Sequence, residues 1–248
     1  MSKRVALVTG GIGGLGTEIC KYLARSGRTV VAADLASREE RVAEFRKEVA
    51  EFGEQIRFEP INVGDFDGCA QAIKAIEEKF SAIDILVNAA GITRDTTLRK
   101  MSPQQWTDVL AINLGGVFNT CRAVVEGMSE RGFGRIVNIS SVNGQTGQFG
   151  QTNYSASKAG MHGFTMALAR EVARKGVTVN SVSPGYCRTA MVAAIAENVR
   201  SQIIAGIPVG RLGEPSEIAR VVDFLCADES GFITGANIPV NGGYFMDF

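Results

Sequence analysis

Short β-branched runs alternate with longer amphipathic stretches along the whole chain. That rhythm puts strands and helices in turn, and it favours an α/β architecture: a doubly wound parallel sheet covered by helices on both faces. RVALVTG at 4–10 reads as the first buried strand and RTVVAADL at 28–35 as the second. IRFEPINV, AIDILVNAAG, GRIVNIS and GVTVNSVSPG supply four more, and ANIPVNGG supplies the last. Helical patterns lie between them, over 14–26, 37–52, from near Asp65, over 102–127, 153–175 and 215–228. Ser102-Pro103 is a good N-cap and first-turn pair for the fourth of these helices. Residues 188–206 have an irregular, mixed pattern. No internal repeat, low-complexity tract or linker interrupts the chain, so one domain over 1–248 is expected.

Composition excludes several classes of function. Lys plus Arg equals Asp plus Glu at 26 each, which leaves neither a nucleic-acid footprint nor a polybasic membrane patch. No apolar run approaches the roughly 20 residues of a membrane span. The first residues lead straight into an apolar strand without the core of a signal peptide, so a cytoplasmic location is expected. The five cysteines are far apart and form no Cys-x-x-Cys pair. Free thiols are therefore expected, with no disulfide framework and no metal site.

Thr9 to Gly16, TGGIGGLG, is a glycine-rich turn between a strand and a helix. Glycines let the backbone approach a pyrophosphate, and a helix N-terminus offers free N–H groups and a positive dipole end. Gly10, Gly11, Ile12, Gly14 and Gly16 are thus expected to hold a dinucleotide in a Rossmann fold. Asp34 falls at the end of the second strand, near the spacing of about 20 residues expected for an acid that binds an adenosine ribose. A carboxylate there accepts both ribose hydroxyl protons and repels a 2′-phosphate, so NADH is favoured, while Arg38 nearby keeps NADPH possible.

Ser141, Tyr154 and Lys158 mark the chemistry. On a helix beginning near Asn153, Tyr154 and Lys158 lie one turn apart on the same face. An ammonium beside a phenol lowers a pKa that is otherwise about 10, which makes the tyrosine a usable proton donor near neutral pH. A serine reaching the same point hydrogen-bonds a carbonyl oxygen as charge develops on it. His162, the only histidine, is read as a packed helix residue and left outside the site.

With the glycine turn, NAAG at 88–91, Asn113, Ser141 and Tyr154-x-x-x-Lys158 in hand, the chain resembles the short-chain dehydrogenase/reductases over essentially its whole length. The resemblance implies a catalytic tetrad of Asn113, Ser141, Tyr154 and Lys158. In it Tyr154 protonates the substrate oxygen, Ser141 positions that oxygen, Lys158 tunes the tyrosine and binds the nicotinamide ribose, and Asn113 holds a relay water. It further implies that Asn62 and Val63 flank the adenine, that Asn88, Ala89, Ala90 and Gly91 line the cofactor, and that Pro184, Gly185 and Thr189 border the nicotinamide. Ala89 and Ala190 depart from the common pattern of that family.

A narrower resemblance, carried by GITRD at 91–95, RIVNISSVNGQ at 135–145, GQFGQTNYS at 147–155, GFTMALA at 163–169 and SPGY at 183–186, is to acetoacetyl-CoA reductases of polyhydroxybutyrate synthesis. It implies an acyl-CoA substrate, with Gln148, Phe149, Gln151 and Tyr186 around the acyl end, and a homotetramer. Arg94, Arg99, Lys100 and Arg131 are candidates for contact with CoA phosphates or with an acidic carrier protein. The alternatives are a 3-oxoacyl-acyl-carrier-protein reductase and a non-catalytic dinucleotide-binding scaffold.

Overall fold

The structure is a computed structural model that describes residues 4–246. Seven parallel strands form one sheet in the order β3-β2-β1-β4-β5-β6-β7. They are β1 (Val5–Thr9), β2 (Thr29–Asp34), β3 (Ile56–Pro60), β4 (Ile83–Asn88), β5 (Gly134–Ile139), β6 (Val177–Pro184) and β7 (Asn237–Val240). Successive residues of β1 face opposite sides: Ala6 and Val8 join one core, Val5 and Leu7 the other. Every residue of β1, β5 and β6 is buried, as a sheet covered on both faces requires.

The first core packs under α1 (Gly14–Arg25), α2 (Glu39–Glu48) and α10 (Pro215–Leu225) through Ile19, Leu23, Phe45, Ile218 and Val222. The second packs under α3 (Phe66–Phe80), α5 (Gly116–Glu130) and α7 (Thr152–Val172) through Ile73, Val124, Met128 and Met161. Burying each such side chain stabilises the fold by about 1.5–3 kcal/mol. Strand order runs outward from β1 to β3 and then restarts with β4 on β1's other side. The crevice at the carboxyl ends of β1 and β4 is therefore the topological switch point, where open α/β sheets bind ligands.

Several boundaries differ from the sequence reading for identifiable reasons. The helix expected over 102–127 is two helices, α4 (Pro103–Leu110) and α5, joined by a π-helical turn at Ala111–Gly115. Its start is as expected: the Ser102 hydroxyl accepts the Gln105 N–H, and the Gln105 side chain accepts the Ser102 N–H in return. The pattern over 37–52 breaks after Glu48 into a 3₁₀ turn, Ala50–Gln55, that contains Gly53 at φ +50°. A four-residue helix, α6 (Asn143–Thr146), was not foreseen, and the irregular segment holds α8 (Ala190–Ala193) and α9 (Glu197–Ala205). Among the described residues no helix is long and apolar enough to cross a membrane.

Candidate active site

The turn between β1 and α1 is shaped by glycines. Gly10 sits at φ +64°, and a β-carbon there would lie 2.7 Å from the Ala90 nitrogen. One at Gly16 would collide with the Gly10 carbonyl oxygen. Gly11 donates its N–H to Ala33 O at 3.0 Å, while Gly14 stays exposed with Thr189 packed beside it. The first turn of α1 has no acidic residue and no side-chain cap, so its N–H groups and positive end are unclaimed. Ile12 is different from its neighbours. Its side chain is fully buried in the core, and its carbonyl accepts Arg41 Nε at 2.6 Å, so only its N–H remains for a ligand.

Asp34 ends β2 as expected. Its carboxylate accepts the Leu35 N–H and Arg38 Nη1, each at 2.9 Å, so the acid and the cation offered as rival cofactor contacts are paired with each other. Asn62 is exposed and caps the Gly64 N–H at 3.1 Å, and Val63 is buried. The Asn88 side chain turns inward instead of towards the crevice: it donates to Asn138 at 2.9 Å and accepts from Thr120 at 2.7 Å, which ties β4 to β5 and α5. Ala89 and Ala90 lie against Gly10. Gly91 abuts the candidate cluster, since a β-carbon there would be 3.3 Å from Asn113 Oδ1 and 3.7 Å from Lys158 Nζ.

The four tetrad residues converge in the second-core face of the sheet. Asn113 lies in the π turn and is fully buried; its amide accepts the Ile92 N–H at 2.8 Å and donates to Ile92 O at 3.0 Å and Ser157 Oγ at 3.1 Å. Lys158 is buried, donates to Ile139 O at 2.7 Å, and has Nζ 5.6 Å from the Tyr154 ring centroid. Burial pushes its ammonium down to about 8. Burial also pushes the Tyr154 phenol up; a hydrogen bond with Ser141 pulls it back, and Asp95 and Tyr186 raise it further. The expectation of a lowered phenol is thus reversed in the free protein, where desolvation is the largest influence and Lys158 is bonded to a main-chain carbonyl. Ser141 Oγ accepts the Asn143 N–H at 3.1 Å, which frees the serine proton to point elsewhere. Ser140, the neighbour of Ser141, is buried and donates to Lys158 O at 3.0 Å.

The floor is hung from the last strands: Pro184 O accepts the Val142 N–H and Gly185 donates to Val240 O, each at 2.9 Å. His162 is a packing residue held by Ser183 at 3.2 Å and kept neutral by burial. The acyl pocket is less closed than the sequence implied. Gln148 is exposed and Phe149 is 87% exposed, whereas Tyr186 is half-buried and edge-on to Tyr244. Arg94, Arg99 and Lys100 are exposed, but Arg131 bonds Ile83 O at 2.6 Å, at the far end of β4, and is removed from the site. Gln151 has both ends of its amide engaged, by Asn143 and Asp95.

This arrangement has relatives. Residues 4–200 match the family model for short chain dehydrogenase. The chain belongs to that family. It is 57% identical to an acetoacetyl-CoA reductase of Allochromatium vinosum over 98% of this chain and 99% of the relative. It is 52% identical to an acetoacetyl-CoA reductase of Cupriavidus necator, over 99% and 100%. A 3-oxoacyl-acyl-carrier-protein reductase of Vibrio harveyi is 42% identical over 98% of each chain. This short chain dehydrogenase is an oxidoreductase, and the family implies a nicotinamide cofactor. The residues present fit one, since Gly10 and Gly16 leave a cradle that a β-carbon would fill beneath an uncapped helix end.

Sequence reasoning missed Asp95, Asn143, Asn153 and Ser157. Asn153 is fully buried and donates to Arg94 O at 3.2 Å and Gln105 O at 3.1 Å, pinning the start of α7 to the preceding loop. All four lie inside or beside the stretches that carried the family resemblance, yet nothing in their spacing signals a partner 50 or more residues away, as with Gln151 and Asp95 at a separation of 56.

Proposed function

We propose that this enzyme reduces acetoacetyl-CoA to (R)-3-hydroxybutyryl-CoA, with NADH favoured over NADPH. The observation that carries the reading is the convergence of Ser141, Tyr154 and Lys158 beside the glycine turn, in a chain whose relatives at 52–57% identity are named for that reaction. The dinucleotide, when bound, supplies the hydride that reaches the 3-keto carbon. The protein does the rest. Tyr154 is held protonated by its surroundings and gives its proton to the oxygen on which charge develops. Ser141 Oγ already accepts from Asn143, so its own proton donates to the same oxygen. The Lys158 ammonium stabilises the phenolate left behind. The Asn113 amide is spent on Ile92 and Ser157, so a relay water would be held by main chain at the π turn.

Asp34 supports NADH: its carboxylate stands where an adenosine ribose is read and disfavours a 2′-phosphate. Arg94, Arg99 and Lys100 ring the exposed Phe149 and Leu98 loops, a surface that suits a polyanionic CoA. Exposed Phe224 on α10 and exposed Phe232 support assembly, read here as a homotetramer acting in the cytoplasm in polyhydroxybutyrate synthesis.

The test follows cofactor oxidation with acetoacetyl-CoA and acetoacetyl-acyl-carrier protein, each with NADH and with NADPH. Acetoacetyl-CoA with NADH is expected to give the highest kcat/KM. Preference for the carrier-protein substrate would replace the CoA reading, and preference for NADPH would remove the role given to Asp34. Tyr154→Phe should abolish turnover while NADH binding persists; a variant that still turns over would remove the proton-donor assignment.

A further inference from the structure

Arg41 reaches out of α2 into the glycine turn. It is the third residue of that helix, where a cation meets the helix's own positive end and is disfavoured unless something else holds it. Its guanidinium is held on every side. Nε donates to Ile12 O at 2.6 Å and Nη2 to Thr17 Oγ1 at 3.1 Å, so one planar fork spans the turn and the start of α1. The remaining donors go to carboxylates of α2: Nη1 to Glu44 at 3.2 Å and to Glu48 at 2.6 Å, and Nη2 to the other oxygen of Glu48 at 3.2 Å. All five N–H groups of the side chain are engaged, and none is left for a ligand's phosphate.

The bond to Ile12 acts beyond the atom it touches. The same peptide unit carries the Gly13 N–H, which donates to Gly10 O at 3.0 Å. The Gly10 carbonyl shares its unit with the Gly11 N–H, which donates to Ala33 O in β2, also at 3.0 Å. These bonds run in one direction, from Arg41 through the turn to β2, and each polarises the next. An anion site at a helix start needs N–H groups facing the ligand and carbonyl oxygens facing away from it. Arg41 gives the Ile12 carbonyl a cation to face, beside the uncapped start of α1.

We propose that Arg41 is a positioning residue for the dinucleotide: by gripping the Ile12 carbonyl and the Thr17 hydroxyl in one fork, it keeps the glycine turn in the shape that receives the pyrophosphate, for NADH and NADPH alike. Glu44 and Glu48 hold the fork at its rear, and the bond with Arg41 keeps the Glu48 carboxyl below the usual range.

The proposal rests on the dinucleotide reading of the glycine turn, and its test is binding. Arg41→Ala is expected to weaken NADH, NADPH and ADP-ribose by a common factor of about ten, the scale of a lost charge-assisted hydrogen bond. Fluorescence reads the two reduced cofactors and calorimetry reads ADP-ribose, which has the pyrophosphate but no nicotinamide. With acetoacetyl-CoA, KM for NADH should rise by that factor while kcat at saturation stays within about twofold of the parent. A group that only braced the fold would lower Tm and leave all three affinities at the parental value, which would overturn the proposal. Loss confined to NADPH would overturn it too, since it would put Arg41 in contact with the 2′-phosphate. If Arg41→Ala does not accumulate as folded protein, Arg41→Lys carries the test. One ammonium cannot span Ile12 and Thr17 as the fork does, so all three ligands should weaken by about threefold or more, and parental affinities refute the assignment. A parent enzyme that binds none of the three ligands would instead defeat the underlying cofactor reading.

Discussion

Lys158, assigned above to the proposed reaction, shows what a buried ammonium costs its fold. Its ammonium is buried with one carbonyl partner, and burial drags it from 10.5 to about 8. A depressed folded pKa means that the unfolded chain binds the proton more tightly, so charging this lysine opposes folding at pH 7 by up to about 3 kcal/mol. The penalty is full below about 8 and is relieved as pH rises from there towards 10.5. Lys158→Met should therefore abolish turnover yet raise Tm at pH 7, less about 1 kcal/mol for the orphaned Ile139 carbonyl. The gain should shrink above pH 8 as the parent sheds its proton; a variant less stable than the parent at pH 7 would refute this account. Tyr154 and Lys158 were legible because spacing on a helix fixes which residues are neighbours. Spacing carries no measure of desolvation, which is why the phenol's direction was misjudged and why nothing in the glycine turn showed that the Ile12 side chain is buried in the core.

Among elements, the glycine turn and the π turn stand at opposite ends of legibility. The turn before α1 is written locally, since only glycine accommodates the contacts at Gly10 and Gly16. Gly16→Ala would drive a β-carbon into the Gly10 carbonyl, displacing the first turn of α1; such overpacking costs about 1–3 kcal/mol. NADH affinity should fall about tenfold with it, and a titration showing parental affinity would count against the turn as the pyrophosphate site. The π turn has no local signature. Asn113 is drawn inward by Ile92, 21 residues earlier, and by Ser157, 44 residues later, and those contacts hold the widened turn that separates α4 from α5. Periodicity alone joins the two helices into one.

At the scale of the molecule, the alternation of runs was enough to give seven parallel strands, and strand order then places the crevice. What the pattern could not give is the openness of the expected acyl side, because alternation of runs carries no measure of exposure in a loop such as that of Phe149. The homotetramer is checked by light scattering, where a particle of four 26.4 kDa chains is expected and a monomer at micromolar concentration would end that reading. By the same family resemblance the C-terminal GGYFMDF would belong to the tetramer surface, and it runs partly beyond the described residues.

The five buried thiols give the fold a reporter of its own. Cys20 sits under the glycine turn with its sulfur 3.8 Å from the Gly11 carbonyl, fully enclosed and held far from its thiolate form by burial. An alkylating reagent reaches that sulfur only when α1 lifts from β1, so the labelling rate is a clock for local opening of the cofactor cradle. Anything that binds the closed cradle slows the clock by its own binding factor. Occupancy can then be timed at a single sulfur atom with no dye attached and no substrate turned over.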